Sequence, residues 1–90
     1  MEEKTTQFAK RLLKAMELRE MTYNTLEKAA QPFCAALNTP ISISDLIRYA
    51  SGEDIPSSEH LQILSSALQV QPVWLMSGNG PMERKSVLFL

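Results

Sequence analysis

The sequence predicts an all-α fold in one small domain, and three observations carry that expectation. Apolar residues recur at helical spacing in successive segments, and nowhere do they alternate with polar residues over a strand's length. Glycine, proline and short polar side chains fall between those segments, where helices stop and start. The chain has 90 residues, 44% of them hydrophobic, so a single core must use nearly every apolar side chain.

The first helix is expected over Thr6 to Glu20, which contains no Gly or Pro. Phe8, Leu12, Ala15 and Met16 form its buried stripe, flanked by Ala9 and Leu13, while Lys10, Lys14 and Glu17 fall opposite. Met21 to Thr25 is a break with several N-cap candidates. From Thr25, the residues Leu26, Ala29, Ala30, Phe33 and Leu37 again make one stripe, with Pro32 inside it. A proline there has no N–H and clashes with the preceding turn, so a kink, or a second short helix starting at Pro32, is expected. Asn38 tolerates a left-handed C-cap, and Thr39 before Pro40 is pushed to extended backbone.

Ser42 and Asp45 have the spacing of a capping box, with Asp in place of the usual Glu or Gln. The third helix then runs to Ser51, with Leu46, Tyr49 and Ala50 on one side and Ser44, Ile47, Arg48 and Ser51 on the other; Gly52 ends it. After the loop Glu53-Asp54-Ile55-Pro56, Ser57 or Ser58 caps a fourth helix that buries Leu61, Leu64, Ala67 and Leu68. Pro72 suits the first turn of a short fifth helix containing Val73 to Met76, closed by Gly78-Asn79-Gly80-Pro81.

Composition narrows the function classes. One cysteine makes neither an internal disulfide nor a thiolate zinc cage. The longest apolar run, Phe33 to Leu37, is far too short to span a membrane, and the N-terminus shows no apolar signal core, so a cytoplasmic, non-membrane domain is expected. The net charge of −1 lacks the basic excess usual for nucleic-acid binding. Lys4, Lys10, Arg11 and Lys14 nevertheless all precede Glu17, which leaves room for a local basic patch, or simply for a solvated helix face.

Catalytic chemistry finds no foothold. His60 has no second His or Cys at ligand spacing, so no metal site is expected. Cys34 lies among Phe33, Ala35 and Ala36 and reads as a buried thiol rather than a nucleophile. Gly78-x-Gly80 follows a helix instead of opening one, the reverse of a phosphate cradle. No enzyme, cofactor or small-molecule substrate is expected.

The run Ser51-Gly52, Pro56-Ser57, Leu61, Leu64, Ala67-Leu68, Val70, Trp74-Leu75 and Gly78 resembles the C-terminal half of phage repressor and Cro-type (lambda repressor-like) helix-turn-helix domains. The closing Trp74 to Pro81 is especially similar, and Phe8, Arg11-Leu12 and Met21-Thr22 resemble the opening. The resemblance implies a compact five-helix bundle in which the helix from Ser42 to Ser51 lies in the DNA major groove. Residues 1–81 would form the DNA-binding domain and residues 82–90 a C-terminal tail.

The middle departs from the family. Thr22 to Gly52 is roughly nine residues longer than the family spacing. In one register the second helix is Thr25 to Ala30 and the extra length lies in the turn, which places Glu27 at a small, packed position. In the other, preferred register it is Phe33 to Leu37: Cys34 fills the small position, Phe33 and Leu37 face the core, and Asn38 takes the turn. The extra length then mostly extends the start of that helix. Met16 and Ala50 also occupy positions where many family members hold an Arg–Glu pair, an exchange that costs little because buried ion pairs contribute little net stability.

What the resemblance implies for function follows position by position. Ser44 and Arg48 would carry most base readout, and Ile43 would touch a thymine methyl, with Ile47 beside them. Thr39, Ser42 and Ser51 would position the backbone, and Lys10 or Lys14 would add long-range attraction. Asp45 suits a DNA face only if the cap at Ser42 consumes it, and Glu53-Asp54 opposes phosphate. The implied partner is double-stranded operator DNA, bound by a homodimer that acts by occupancy. Val87, Leu88, Phe89 and Leu90 are the candidate dimer contact; the same tail could instead fold onto its own core or lead onward. The alternative is a protein-interaction module on the same scaffold, antitoxin-like or regulatory, using the acidic loop and the tail.

Overall fold

In the computed structural model, residues 3–83 are described, and among them the chain forms five helices. These are α1 (Lys4–Leu18), α2 (Tyr23–Leu37), α3 (Ile43–Ala50), α4 (Ser58–Leu68) and α5 (Pro72–Ser77). The fold is an all-α five-helix bundle. Among the described residues, extended pairing is confined to one antiparallel bridge, Val70 with Glu83. No helix is long and apolar enough to cross a membrane among those residues. The expected tail contact, Val87 to Leu90, lies outside them.

Most helices start where a side chain can satisfy an orphan N–H. Thr22 and Thr25 form a reciprocal capping box at α2, Ser42 and Asp45 form another at α3, and Ser57 accepts from the His60 N–H at α4. Helix ends are equally local. Asn38 and Gln69 close α2 and α4 in the left-handed conformation, and Gly78 closes α5 at φ 81°. Gly78 is required twice over, because a Cβ there would also stand 3.1 Å from the Arg11 guanidinium.

The core takes side chains from every helix. Phe8, Leu12, Leu26, Leu46, Ile63, Leu64, Leu68 and Leu75 are fully buried. α1 packs on α3 and α5, α2 on α3 and α4, and α4 on α5. Met16 and Ala50 are both buried in the core. Arg11 of α1 and Arg19, the residue that caps its C-terminus, stitch α1 to α5 and α4. Arg11 donates to the carbonyls of Leu75 (2.8 Å) and Met76 (2.6 Å), in the last turn of α5. Arg19 donates to the carbonyls of Leu68 (2.8 Å) and Gln69 (3.0 Å) at the end of α4, and pairs with Glu83 at 2.8 Å. Both sites are helix C-termini, whose unpaired carbonyls favour a cation.

Several expectations need correcting. α1 begins and ends two residues earlier than the spacing suggests, and Leu13 and Leu37 are 44% exposed rather than core. Pro32 neither ends α2 nor starts a new helix: α2 runs unbroken through it. The reason is position. Pro32 and Lys28, whose carbonyl loses its N–H partner, lie on the exposed side, where water can take that bond, while Leu26, Ala30 and Cys34 hold the opposite side in the core. α2 therefore reaches Leu37, and the expectation of a second helix that ends at Ala30 is wrong. In the other register Cys34 is buried, Phe33 packs partly against the core and Asn38 takes the turn, but Leu37 faces outward. Finally, Arg11 is not part of a free basic patch, since α5 consumes it.

Candidate nucleic-acid interface

α3 is an eight-residue helix with two sharply different faces. Leu46, Tyr49 and Ala50 are buried, and Ile43 is half-buried. Ser44, Ile47, Arg48 and Ser51 are exposed, Ile47 to 45%. Positions 44, 47, 48 and 51 are spaced three and four apart, so they form one row along the solvent side.

The buried face is anchored from α4. The Tyr49 hydroxyl and His60 Nδ1 are 2.6 Å apart, and His60 Nε2 lies 2.9 Å from the Pro40 carbonyl. A carbonyl only accepts, so Nε2 carries the proton and Nδ1 accepts from Tyr49. One imidazole thus ties α4 to both α3 and the turn before it. The Tyr49 ring also meets Phe8 and His60 edge-on, at centroid distances of 6.2 and 5.8 Å. Burial, reinforced by the nearby Asp45 charge, pushes the Tyr49 phenol above its usual range, so it stays a neutral donor.

The start of α3 is held just as firmly. Asp45 Oδ2 accepts the Ser42 N–H at 3.0 Å, and Ser42 Oγ accepts the Asp45 N–H at 3.1 Å. The backbone bond from Ser42 is the main reason that the Asp45 carboxyl sits below its ordinary range; partial burial opposes this, and Arg48 adds to it. Arg48 Nη2 reaches Asp45 Oδ1 at 2.9 Å, and its Nε lies 3.8 Å from Asp54 Oδ2 in the following loop.

The structure sorts the expected site residues. Ser44, Ile47 and Arg48 come together on the open face, with Ile43 beside them at the helix start. The hydroxyls of Thr39, Ser42 and Ser51 are engaged within the chain: Thr39 donates to the Leu37 carbonyl at 3.0 Å, Ser42 caps α3, and Ser51 donates to the Ile47 carbonyl at 2.8 Å. Lys10 and Lys14 lie on the exposed side of α1, a separate element from this row. Sequence reasoning missed His60, because no local pattern announces a contact from α4 to Tyr49 and Pro40. It also missed the double pairing of Arg48, although the three-residue spacing from Asp45 signals half of it.

Among the described residues, no three His, Cys, Asp or Glu side chains gather as a metal site requires. Comparison of the chain with protein-family models, curated proteins and solved structures finds no match.

Proposed function

We propose that this chain is a sequence-specific DNA-binding regulator of the phage repressor and Cro type, acting as a homodimer that occupies its operator. The observation that carries the reading is the α3 row. A short helix, capped at its start and locked from behind, presents Ser44, Ile47 and Arg48 outward on a rigid support. That side-chain set can read base edges: Arg48 offers a fork for guanine, Ser44 a donor or acceptor, and Ile47 an apolar contact for a thymine methyl. The resemblance over Leu46 to Pro81 supports the same assignment. A two-fold dimer would set two such helices one DNA turn apart.

A second reading is favoured by one specific observation. Arg48 is paired with two acids, Asp45 and Asp54, which offset its positive charge and leave exposed Ile47 beside a net-acidic cluster. A face of that kind also suits a protein partner.

Selection from a randomised duplex library at low and moderate salt separates the two. The DNA reading expects enrichment of a two-fold-symmetric site, affinity that falls steeply with salt, and losses of about tenfold or more for Arg48→Ala and smaller for Ser44→Ala. No enrichment, or weak binding indifferent to both substitutions, would overturn the DNA reading and leave the protein-partner reading to be tested.

A further inference from the structure

Arg48 is the one base on α3, and the two acids that hold it differ in what else they do. Asp45 belongs to the helix, with one oxygen completing the α3 cap and the other meeting Arg48 Nη2. Asp54 belongs to the exposed loop beyond Gly52, where it faces Arg48 Nε at 3.8 Å, an electrostatic contact too long for a hydrogen bond. The guanidinium of this 45% exposed side chain therefore has its Nη2 and Nε directions turned toward the protein's own carboxylates. Those two directions make up the side-on fork of the guanidinium, one of the two by which it can approach a phosphate or a guanine edge with paired hydrogen bonds.

We propose that Asp54 is a latch on Arg48: the loop carboxylate competes with DNA for the guanidinium and holds down the duplex affinity of this face. The proposal rests on the DNA-binding reading above. To engage a phosphate or a base through that side-on fork, Arg48 must leave Asp54, and that separation is subtracted from each such complex, whatever its sequence. The latch thus sets how tightly the face binds rather than which sequence it prefers. Asp45 is the fixed partner, needed by the helix itself, whereas Asp54 can be released without undoing any cap.

Any acid near DNA repels phosphate, so the test must show that the effect runs through Arg48. Glu53 supplies the comparison: its carboxylate accepts from Ser51 Oγ at 3.1 Å, next door to the latch. The experiment measures affinity for a mixed-sequence duplex of about 20 base pairs in about 50 mM salt. It uses the full chain as wild type, Asp54→Asn, Glu53→Gln, Arg48→Ala, and the last combined with each of the other two. Thermal melting checks that each variant folds. The expected result is a gain of about three- to tenfold for Asp54→Asn, largely abolished when Arg48 is alanine, with a salt dependence steeper by about one counterion. Glu53→Gln should give a smaller gain that survives in the Arg48→Ala background. Equal gains for the two acids, or an Asp54→Asn gain that persists without Arg48, would overturn the latch and leave DNA binding standing. If no variant binds duplex, Asp54→Asn included, the DNA reading falls and takes the latch with it.

Discussion

Asp45 puts one carboxylate to two uses, and the chain is sensitive to it for that reason. One oxygen takes the Ser42 N–H and the other takes Arg48. Asp45→Asn should lower stability by about 1 kcal/mol at neutral pH, the usual scale of a lost cap, as read by urea denaturation. The pH dependence has a definite direction. The folded-state carboxyl sits below its ordinary value of 3.8, so its contribution is complete above that value and disappears as pH falls through the lower, folded one. The gap between wild type and variant should therefore be full at about pH 7 and shrink once pH drops below about 4. A gap that stayed constant down to about pH 2 would show that the ionised form is not what matters. The cap itself was legible in the sequence, since Ser42 and Asp45 are three residues apart and the interaction is local. The grip of His60 on Tyr49 and Pro40 was not, because it joins residues 11 and 20 apart and depends on how α4 lies against α3.

Helix α2 shows how far local rules reach at the scale of an element. The break before α2, Asn38 at its end, and Leu26 and Ala30 in its stripe could be read from side-chain chemistry and spacing, whereas the N-cap at Thr22 was only one of several candidates and Leu37 was wrongly placed in the stripe. Pro32 could not be read either, because its cost depends on which side of the helix it occupies. A proline inside a helix costs about 3 kcal/mol against alanine, part of which returns through a stiffer unfolded chain. Pro32→Ala should accordingly raise stability by about 2 kcal/mol, with α2 keeping its length, as seen in a higher melting temperature. A lower melting temperature would mean that the proline ring fills a contact which exposure alone does not reveal. α3 met its expected bounds closely, because serines at both ends and a glycine immediately after leave little freedom in where it begins or stops.

Across the whole molecule, α1 acts as a clasp. Its core face packs on α3 and α5, and Arg11 within it and Arg19 at its C-cap close the carbonyl ends of α5 and α4. Arg11→Ala should cost about 1–2 kcal/mol and act first on α5, because two carbonyls lose their donors. Hydrogen exchange would register this as faster exchange of α5 amides, with α4 amides little changed. Uniform loss of protection in both helices would argue against a local clasp. The five-helix order was legible from spacing and punctuation, whereas this stitching was not. Arginines in a mixed-charge segment look like surface charge until the partner helix ends are placed beside them. The same placement removes Arg11 and Arg19 from the charge available to an external ligand.

The two faces of α3 divide eight residues between separate demands. Leu46, Tyr49 and Ala50 answer to the core, while 44, 47 and 48 answer to whatever approaches from outside. Exchanges at those outward positions should change stability by no more than about half a kcal/mol, the usual scale for surface sites. The helix is therefore rewritable: its outer lettering can be replaced wholesale, by drift or by an engineer, while the scaffold beneath keeps its shape. A library varying Ser44, Ile47 and Arg48 together would sample new preferences from a population in which nearly every member still folds.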